Sequence, residues 1–400
     1  MPLQDFSRRD AIRRMVAVSA PSRLSGPSRL PGLPALQGLG GVAAALSAAW
    51  PTWARALPPA DLRFPRDLGS HPDFATEWWY ITGRAMAAPA GSAAREFGFQ
   101  LTFFRSRVDA TQAMASQFAA RQLLFAHAAL TDVQGRRLWH DQRIARAGFG
   151  VAEASERDTD LRLRDWSLRR QEAVPPGGGA AVSTYAALLP AQDFGLDLQL
   201  SATQPLLLQG RQGLSRKGPQ PEQASYYVSQ PQLAVRGALV LQGRRHEVTE
   251  GRAWLDHEWS QALLHPDAVG WDWIGMNLDD GAALTAFHLR RADGSALWGG
   301  GSYRHADGRL QTFEPGEVAF EPVRHWASAA SQARYPIEWR VRTPAGEFSV
   351  RAVVDNQELD SRASTGAIYW EGLSELRNAA GALVGRGYLE MTGYAKRLTL

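Results

Sequence analysis

The 400 residues, 44% hydrophobic and 21% charged, have ordinary globular composition, enough for two domains with real cores, and exclude a disordered chain. A pI of about 9.5 invites a nucleic-acid partner until the charges are placed. Residues 1–56 hold seven Arg, two Asp and no Lys or Glu, and without them 37 basic residues face 38 acidic ones, so no nucleic acid is expected. Zero Cys excludes disulfides, thiolate nucleophiles and zinc–thiolate sites.

The chain opens with SRRDAI (Ser7 to Ile12), which resembles a twin-arginine export signal, followed by a Pro/Ser/Arg insert carrying PSRL twice. The apolar run Leu39 to Trp50 is too short to span a bilayer, and Ala54-Arg55-Ala56 is an A-x-A cleavage pattern. These features predict an export signal over residues 1–56, cleavage after Ala56, and a periplasmic or secreted protein with no transmembrane segment after signal removal.

Beyond the leader, short alternating runs separated by Gly, Pro and Asp turns predict strands almost throughout. Asp109 to Leu124 is the main stretch readable as a helix, and is equally readable as a long loop. An ordered set of echoes runs along the chain. EWWYITGR and FGFQLTFFR (Glu77 to Arg84, Phe97 to Arg105) return as WDWIGMNL and AALTAFHLR (Trp271 to Leu278, Ala282 to Arg290). Ala128 to Leu138 answers to Gly301 to Leu310, Pro190 to Leu200 to Pro344 to Val354, and Ser225 to Leu233 to Ala367 to Leu376. Gly251 to Trp259 answers to Gly385 to Tyr394. Repetition in preserved order implies one unit folded twice. The predicted fold is all-β, with two antiparallel β-barrel domains over 61–262 and 263–400, related by duplication and closed by the last echoed pair.

The densest chemistry lies in GRAWLDHEWSQALLHPDAVGWDWIGMNLDDG (Gly251 to Gly281). Strand alternation puts Trp254, Asp256 and Glu258 on one face and Leu255, His257 and Trp259 on the other. In the second run Trp271, Trp273, Asn277 and Asp279 share one face, and Asp272, Ile274, Met276 and Leu278 the other. Met391 of the second copy matches His257, so the fold does not need a histidine there. Acids, an imidazole and indoles in one place are costly to bury unless paired, which leaves either a polar network or a site. As a site, Asp256, Asp272, Asp279, His257, Trp259, Trp271 and Trp273 are the right types to protonate a C=C bond, stabilise the cation and place water. As a network, Asp256, His257 and Glu258 would join the two domains while the Trp residues fill cores.

Elsewhere, His71 and Glu77 read as a polar turn before the first strand or as a barrel mouth, and His127 as a core or rim histidine. Arg216-Lys217-Gly218 is either a solvated loop or a seat for an anionic headgroup, and Asp355 to Arg362 a turn held by ion pairs. There is no G-x-S-x-G, H-E-x-x-H or Walker motif, so no serine hydrolase, zinc hydrolase or NTPase machinery is visible, and no metal or cofactor is expected.

FPRDLGSHPDFATEWWYITGR, GLSRKG, GRAWLDHEWS, GWDWIGMNLDDG and DNQELDSRASTGAIYWEG together resemble the AttH-like family of exported double-lipocalin proteins, which includes the carotenoid 1,2-hydratases (hydroxyneurosporene synthases). The resemblance implies lipocalin-like barrels with apolar interiors suited to a long hydrophobic ligand. For the hydratase branch it implies a His-x-Trp pair and a downstream carboxylate in acid catalysis, here His257, Trp259 and Asp279; the residues' own chemistry adds Asp256 to the candidate catalytic set. Asn277 stands where a hydratase tyrosine is expected. Trp271, Asp272, Trp273 and Asn277 are the expected ligand-binding positions. Two functions follow: cofactor-free hydration of a carotenoid- or lipid-like ligand, or a non-catalytic lipid carrier associated with an ABC transporter.

Overall fold

The computed structural model describes residues 56–174, 178–262 and 264–398, so the twin-arginine motif and the leader up to Arg55 lie outside the described residues. The first sheet is built from β1 (Thr76–Ala88), β2 (Arg95–Arg107), β3 (Gln122–Asp132), β4 (Arg137–Arg146), β5 (Ala152–Ala154), β6 (Asp160–Leu163) and β7 (Trp166–Ala173). It continues with β8 (Val182–Pro190), β9 (Phe194–Ser201), β10 (Leu207–Leu208), β11 (Leu214–Arg216), β12 (Ala224–Leu241) and β13 (Arg244–Ser260). The second comprises β14 (Gly270–Leu278), β15 (Ala283–Arg290), β16 (Ala296–Arg304), β17 (Leu310–Phe313) and β18 (Ala319–Ala327). It ends with β19 (Arg334–Thr343), β20 (Gly346–Ala352), β21 (Glu358–Ser361), β22 (Ala367–Asn378) and β23 (Leu383–Met391).

The duplication is written in the pairing. The first sheet runs β4-β3-β2-β1-β13-β12-β9-β8-β7 before β6 and β5, and the second β17-β16-β15-β14-β23-β22-β20-β19-β18. In each, the last strand closes on the first, and the sequence echoes fall on matching strands: β1 on β14, β2 on β15, β3 and β4 on β16 and β17, β9 on β20, β12 on β22, β13 on β23. The registers agree too, because Ile81 opposite Leu255 corresponds to Ile274 opposite Leu389. The first sheet curls until β4 meets β6, nearly closing a barrel, and the second wraps a core shared by Phe313, Val318 and Tyr335. This is the double lipocalin-like architecture.

The Asp109 to Leu124 stretch is no helix. A single 3₁₀ turn (Asp109–Thr111) is followed by irregular chain, and β3 starts at Gln122. Its apolar residues lack a consistent helical stripe, and Gln122 to Leu124 belong to the alternation of β3.

Each barrel's inward face is filled by its own side chains: Trp79, Phe99, Phe103, Trp166 and Leu255 in the first, Ile274, Trp339 and Leu389 in the second. A ligand in the lumens would have to displace this packing. The barrel interiors expected to take the ligand are therefore cores. The strands β1, β14 and β23 and the second half of β13 (253–260) are largely buried on both faces, because their outer faces lie against the other barrel, where Tyr80, Trp254, Trp273, Leu373 and Tyr388 form a third core. Gly275 makes room in this third core for the Trp273 ring of its own strand, 2.3 Å from where a Cβ would sit, with Trp254 of the other barrel at 3.3 Å.

Candidate active site

Between the two barrels lies a cavity of about 330 Å³ whose walls come from both copies. Trp78, Tyr80, Trp271, Trp273 and Phe287 supply aromatic surface, and Asp256, Glu258, Glu371 and Glu390 supply carboxyls. Strand alternation puts them there: on β13, Trp254, Asp256 and Glu258 face out of the first barrel, and on β23, Tyr388 and Glu390 face out of the second. Matching registers make Asp256 and Glu390 equivalent positions of the duplicated unit, likewise Tyr227 and Tyr369. A larger groove of about 1140 Å³ runs along residues 204–216 and β16, but among the described residues the acids that line it, Asp307 and Glu314, are exposed.

Asp256 is 2% exposed. Its Oδ1 accepts from Ser229 Oγ at 2.5 Å and Trp254 Nε1 at 2.7 Å, and its Oδ2 from Tyr227 OH at 2.8 Å, which itself accepts from Trp273 Nε1 at 3.1 Å. Burial pushes this carboxyl up to about 7 against the pull of those donors. A proton is best held on Oδ2, which has one donor where Oδ1 has two. Glu371 and Glu390 stand directly opposite each other on β22 and β23. Burial and the mutual repulsion of the two carboxylates push Glu371 well up, and Glu390 reaches about 7 under burial, despite a hydrogen bond from Trp271. Glu371 Oε2 accepts from Gln100 at 3.0 Å, while its Oε1 has no partner among the described residues. The cavity thus holds Asp256 and Glu390, which titrate near neutrality, and Glu371, which burial raises as well, beside aromatic faces. Acids of that kind beside indole and phenol faces have the chemistry to donate a proton to an alkene and to shield a cation.

Glu258 differs: Lys217 neutralises it at 3.0 Å, and Ser225 donates to it. Lys217, expected in a solvated loop or an anion seat, is buried, its Nζ 4.5 and 4.4 Å from the Tyr227 and Phe287 ring centroids. His127 joins the barrels through Tyr369 OH and Ser364 Oγ, both at 2.8 Å, and burial pushes it down to about 3, so it stays neutral.

His257 and Trp259 point the other way, into the first barrel. His257 stacks on Trp79 (4.5 Å between centroids), and its Nε2 lies 3.0 Å from Glu77 Oε1. His71 stacks flat on Trp259 at 3.9 Å and reaches the same Glu77 oxygen at 2.8 Å. Ser70 Oγ, the His71 backbone N–H and Arg105 Nε (2.8 Å) complete the shell on Glu77. These donors outweigh burial and hold Glu77 far below the usual carboxylate range. Ligand atoms of His71, Glu77 and His257 lie within 4.8 Å of one another, the spacing of a cation site. Arg105 already neutralises Glu77, however, so the set fits a hydrogen-bonded carboxylate better than a metal. His257→Met is expected to cost about 1–3 kcal/mol, since Glu77 keeps its other donors, and to leave cavity chemistry intact. Denaturant melts beside a turnover assay check this; lost turnover with unchanged stability would restore His257 to the catalytic set.

The other expected site residues divide. Trp271 and Trp273 line the cavity. Asp272 does not: it faces the second barrel's interior, held by His288 Nε2 at 2.6 Å, Arg290 Nε at 3.1 Å and Tyr394 OH at 3.0 Å. Asn277 sits toward the opposite end of β14, accepting at 2.8 Å from the Gln232 N–H in a bulge of β12, and so ties the barrels together. Asp279 is exposed in the β14–β15 turn, away from Asp256. Tyr80, Tyr227, Glu371 and Glu390 were missed as site residues. The one available signal was the repeat, which pairs Asp256 with Glu390 once His257 is matched to Met391.

The AttH-like family model matches residues 55–394. An AttH-type protein from Nitrosomonas europaea is 45% identical, with a TM-score of 0.74, over 85% of this chain and 99% of that one. Kievitone hydratase from Nectria haematococca shares the fold at 13% identity, with a TM-score of 0.62, over 84% of this chain and 93% of that one. No match was found among curated proteins.

Proposed function

This chain belongs to the AttH-like family, and from that premise we propose an exported protein that takes a long hydrophobic, carotenoid- or lipid-like molecule into the inter-barrel cavity and adds water across a C=C bond without a cofactor. The observation that carries this reading is an aromatic-walled cavity holding Asp256 and Glu390, both pushed up to about 7. A cavity of about 330 Å³ is at the lower end of the range for small-molecule sites, so it takes one end of a long chain. In the proposed reaction the Asp256 O–H bond breaks as the alkene π pair forms a C–H bond. Indole and phenol faces shield the resulting tertiary cation. Water forms the C–O bond and gives its proton to Glu390, and proton exchange through solvent returns Asp256 to its acid form. Kievitone hydratase, which shares this fold, is by its name a hydratase, and that supports this reading.

The test is to extract the protein as purified from its own cells, identify any bound apolar compound by mass spectrometry, and incubate that compound with the protein in ¹⁸O-water. Incorporation of one labelled water per molecule supports hydration. A bound alkene that never gains water leaves the non-catalytic carrier beside an ABC exporter, and an empty cavity sinks both.

A further inference from the structure

At one end of the first barrel, four apolar side chains stand in solvent: Met114 (48% exposed), Phe118 (65%), Ile144 (40%) and Phe149 (58%). The Phe118 and Phe149 rings stack at 5.6 Å and 8°, and the Arg146 guanidinium lies 3.9 Å from the Phe149 centroid. Arg146 donates to the Phe118 carbonyl at 3.0 Å and Arg121 to the Met114 carbonyl at 2.8 Å; among the described residues neither has a carboxylate partner. The patch is therefore apolar at its centre and cationic at its edge.

Phe149 also sits in strained backbone. Gly148, Phe149 and Gly150 have φ of 98°, 58° and 68°, three consecutive residues in the left-handed region. A bulky side chain is rarely left there, and strain held at an exposed tip is a reason to look for function. The patch also neighbours the cavity. The chain from 109 to 121 joins β2 to β3, and the cavity reaches Ser106 and Phe125 on those strands, with exposed Lys396 also on its wall.

We propose that this end of the barrel docks on an anionic lipid bilayer, with Phe118 and Phe149 entering the headgroup layer and Arg121 and Arg146 meeting lipid phosphates, so that ligand passes between bilayer and cavity. Aromatic groups rimmed by arginine fit that boundary, and two guanidinium groups without a carboxylate partner among the described residues fit anionic rather than zwitterionic lipid. The proposal rests on the reading that the cavity takes an apolar ligand.

Co-sedimentation of the exported protein with phosphatidylglycerol-containing vesicles and with pure phosphatidylcholine vesicles tests it. Wild type is expected to partition onto the anionic vesicles, and Phe118→Ser/Phe149→Ser to lose about tenfold or more in partition. Arg146→Gln should lose partition mainly at low salt. Hydrogen exchange should slow in residues 112–120 and 147–151 on vesicle addition. Because neither Phe lines the cavity, the double variant should still hydrate detergent-delivered substrate, so loss of docking and loss of chemistry read separately. Absent vesicle binding in wild type, or binding unchanged in the double variant, overturns the proposal. So does a wild-type dimer that the double variant dissolves without any vesicle partition, which would assign the patch to a second copy.

Discussion

Asp256→Asn is expected to lower hydration of the bound alkene by about 10²- to 10⁴-fold, the range contributed by a positioned general acid, while the ligand stays in the cavity. The substitution keeps the shape and still offers an acceptor to Ser229, Trp254 or Tyr227, so packing of the aromatic wall should survive. Wild-type turnover should fall as pH rises past about 7, where Asp256 loses its proton. Stability carries the same signature. The folded chain holds this proton from the ordinary value of 3.8 up to about 7, so the contribution is full below the lower value and is lost as pH rises through the upper one. Three units correspond to at most about 4 kcal/mol. Urea midpoints measured across this window should therefore decline more steeply in wild type than in Asp256→Asn. Turnover equal to wild type in the variant would remove Asp256 as the acid; equal slopes would remove its raised pKa.

Glu77→Gln should have the largest effect on stability, about 3–5 kcal/mol, because it leaves Arg105, 2% exposed, without its counter-charge. The loss reaches further than one ion pair. Glu77 gathers His71, Ser70, Arg105 and His257 and so anchors the segment before β1 to the strand that closes the barrel. Adding Arg105→Met to Glu77→Gln removes the unpaired cation and should recover part of the deficit, which a double-mutant cycle in urea would measure. An additive cycle would mean that the two charges are not coupled. The second barrel repeats the device with a shift. Arg290 matches Arg105, but its carboxylate is Asp272, which occupies the position of Trp79 rather than that of Glu77.

Much of the architecture was legible from residues alone. Period-two alternation is a local property of the strand, so it assigned Leu255 and His257 to one face and Trp254, Asp256 and Glu258 to the other before any partner was known. The ordered echoes revealed the duplication, because a repeated fold preserves the spacing of its core positions even where residue types drift. Of the residues chosen for their chemistry, Asp256, Trp271 and Trp273 line the inter-barrel cavity. His257, Trp259 and Asp272 carry equally suitable groups, but these turn into barrel cores. Only the packing of one barrel on the other decided which face of each strand would become the cavity wall. In β1, β14, β23 and the second half of β13 both faces are largely buried, so polarity along the strand marks neither as the site. Glu371 and Glu390 show the same limit, since two glutamates nineteen positions apart look like ordinary strand acids until antiparallel pairing sets them side by side, where burial raises both and the Glu390 charge raises Glu371 further.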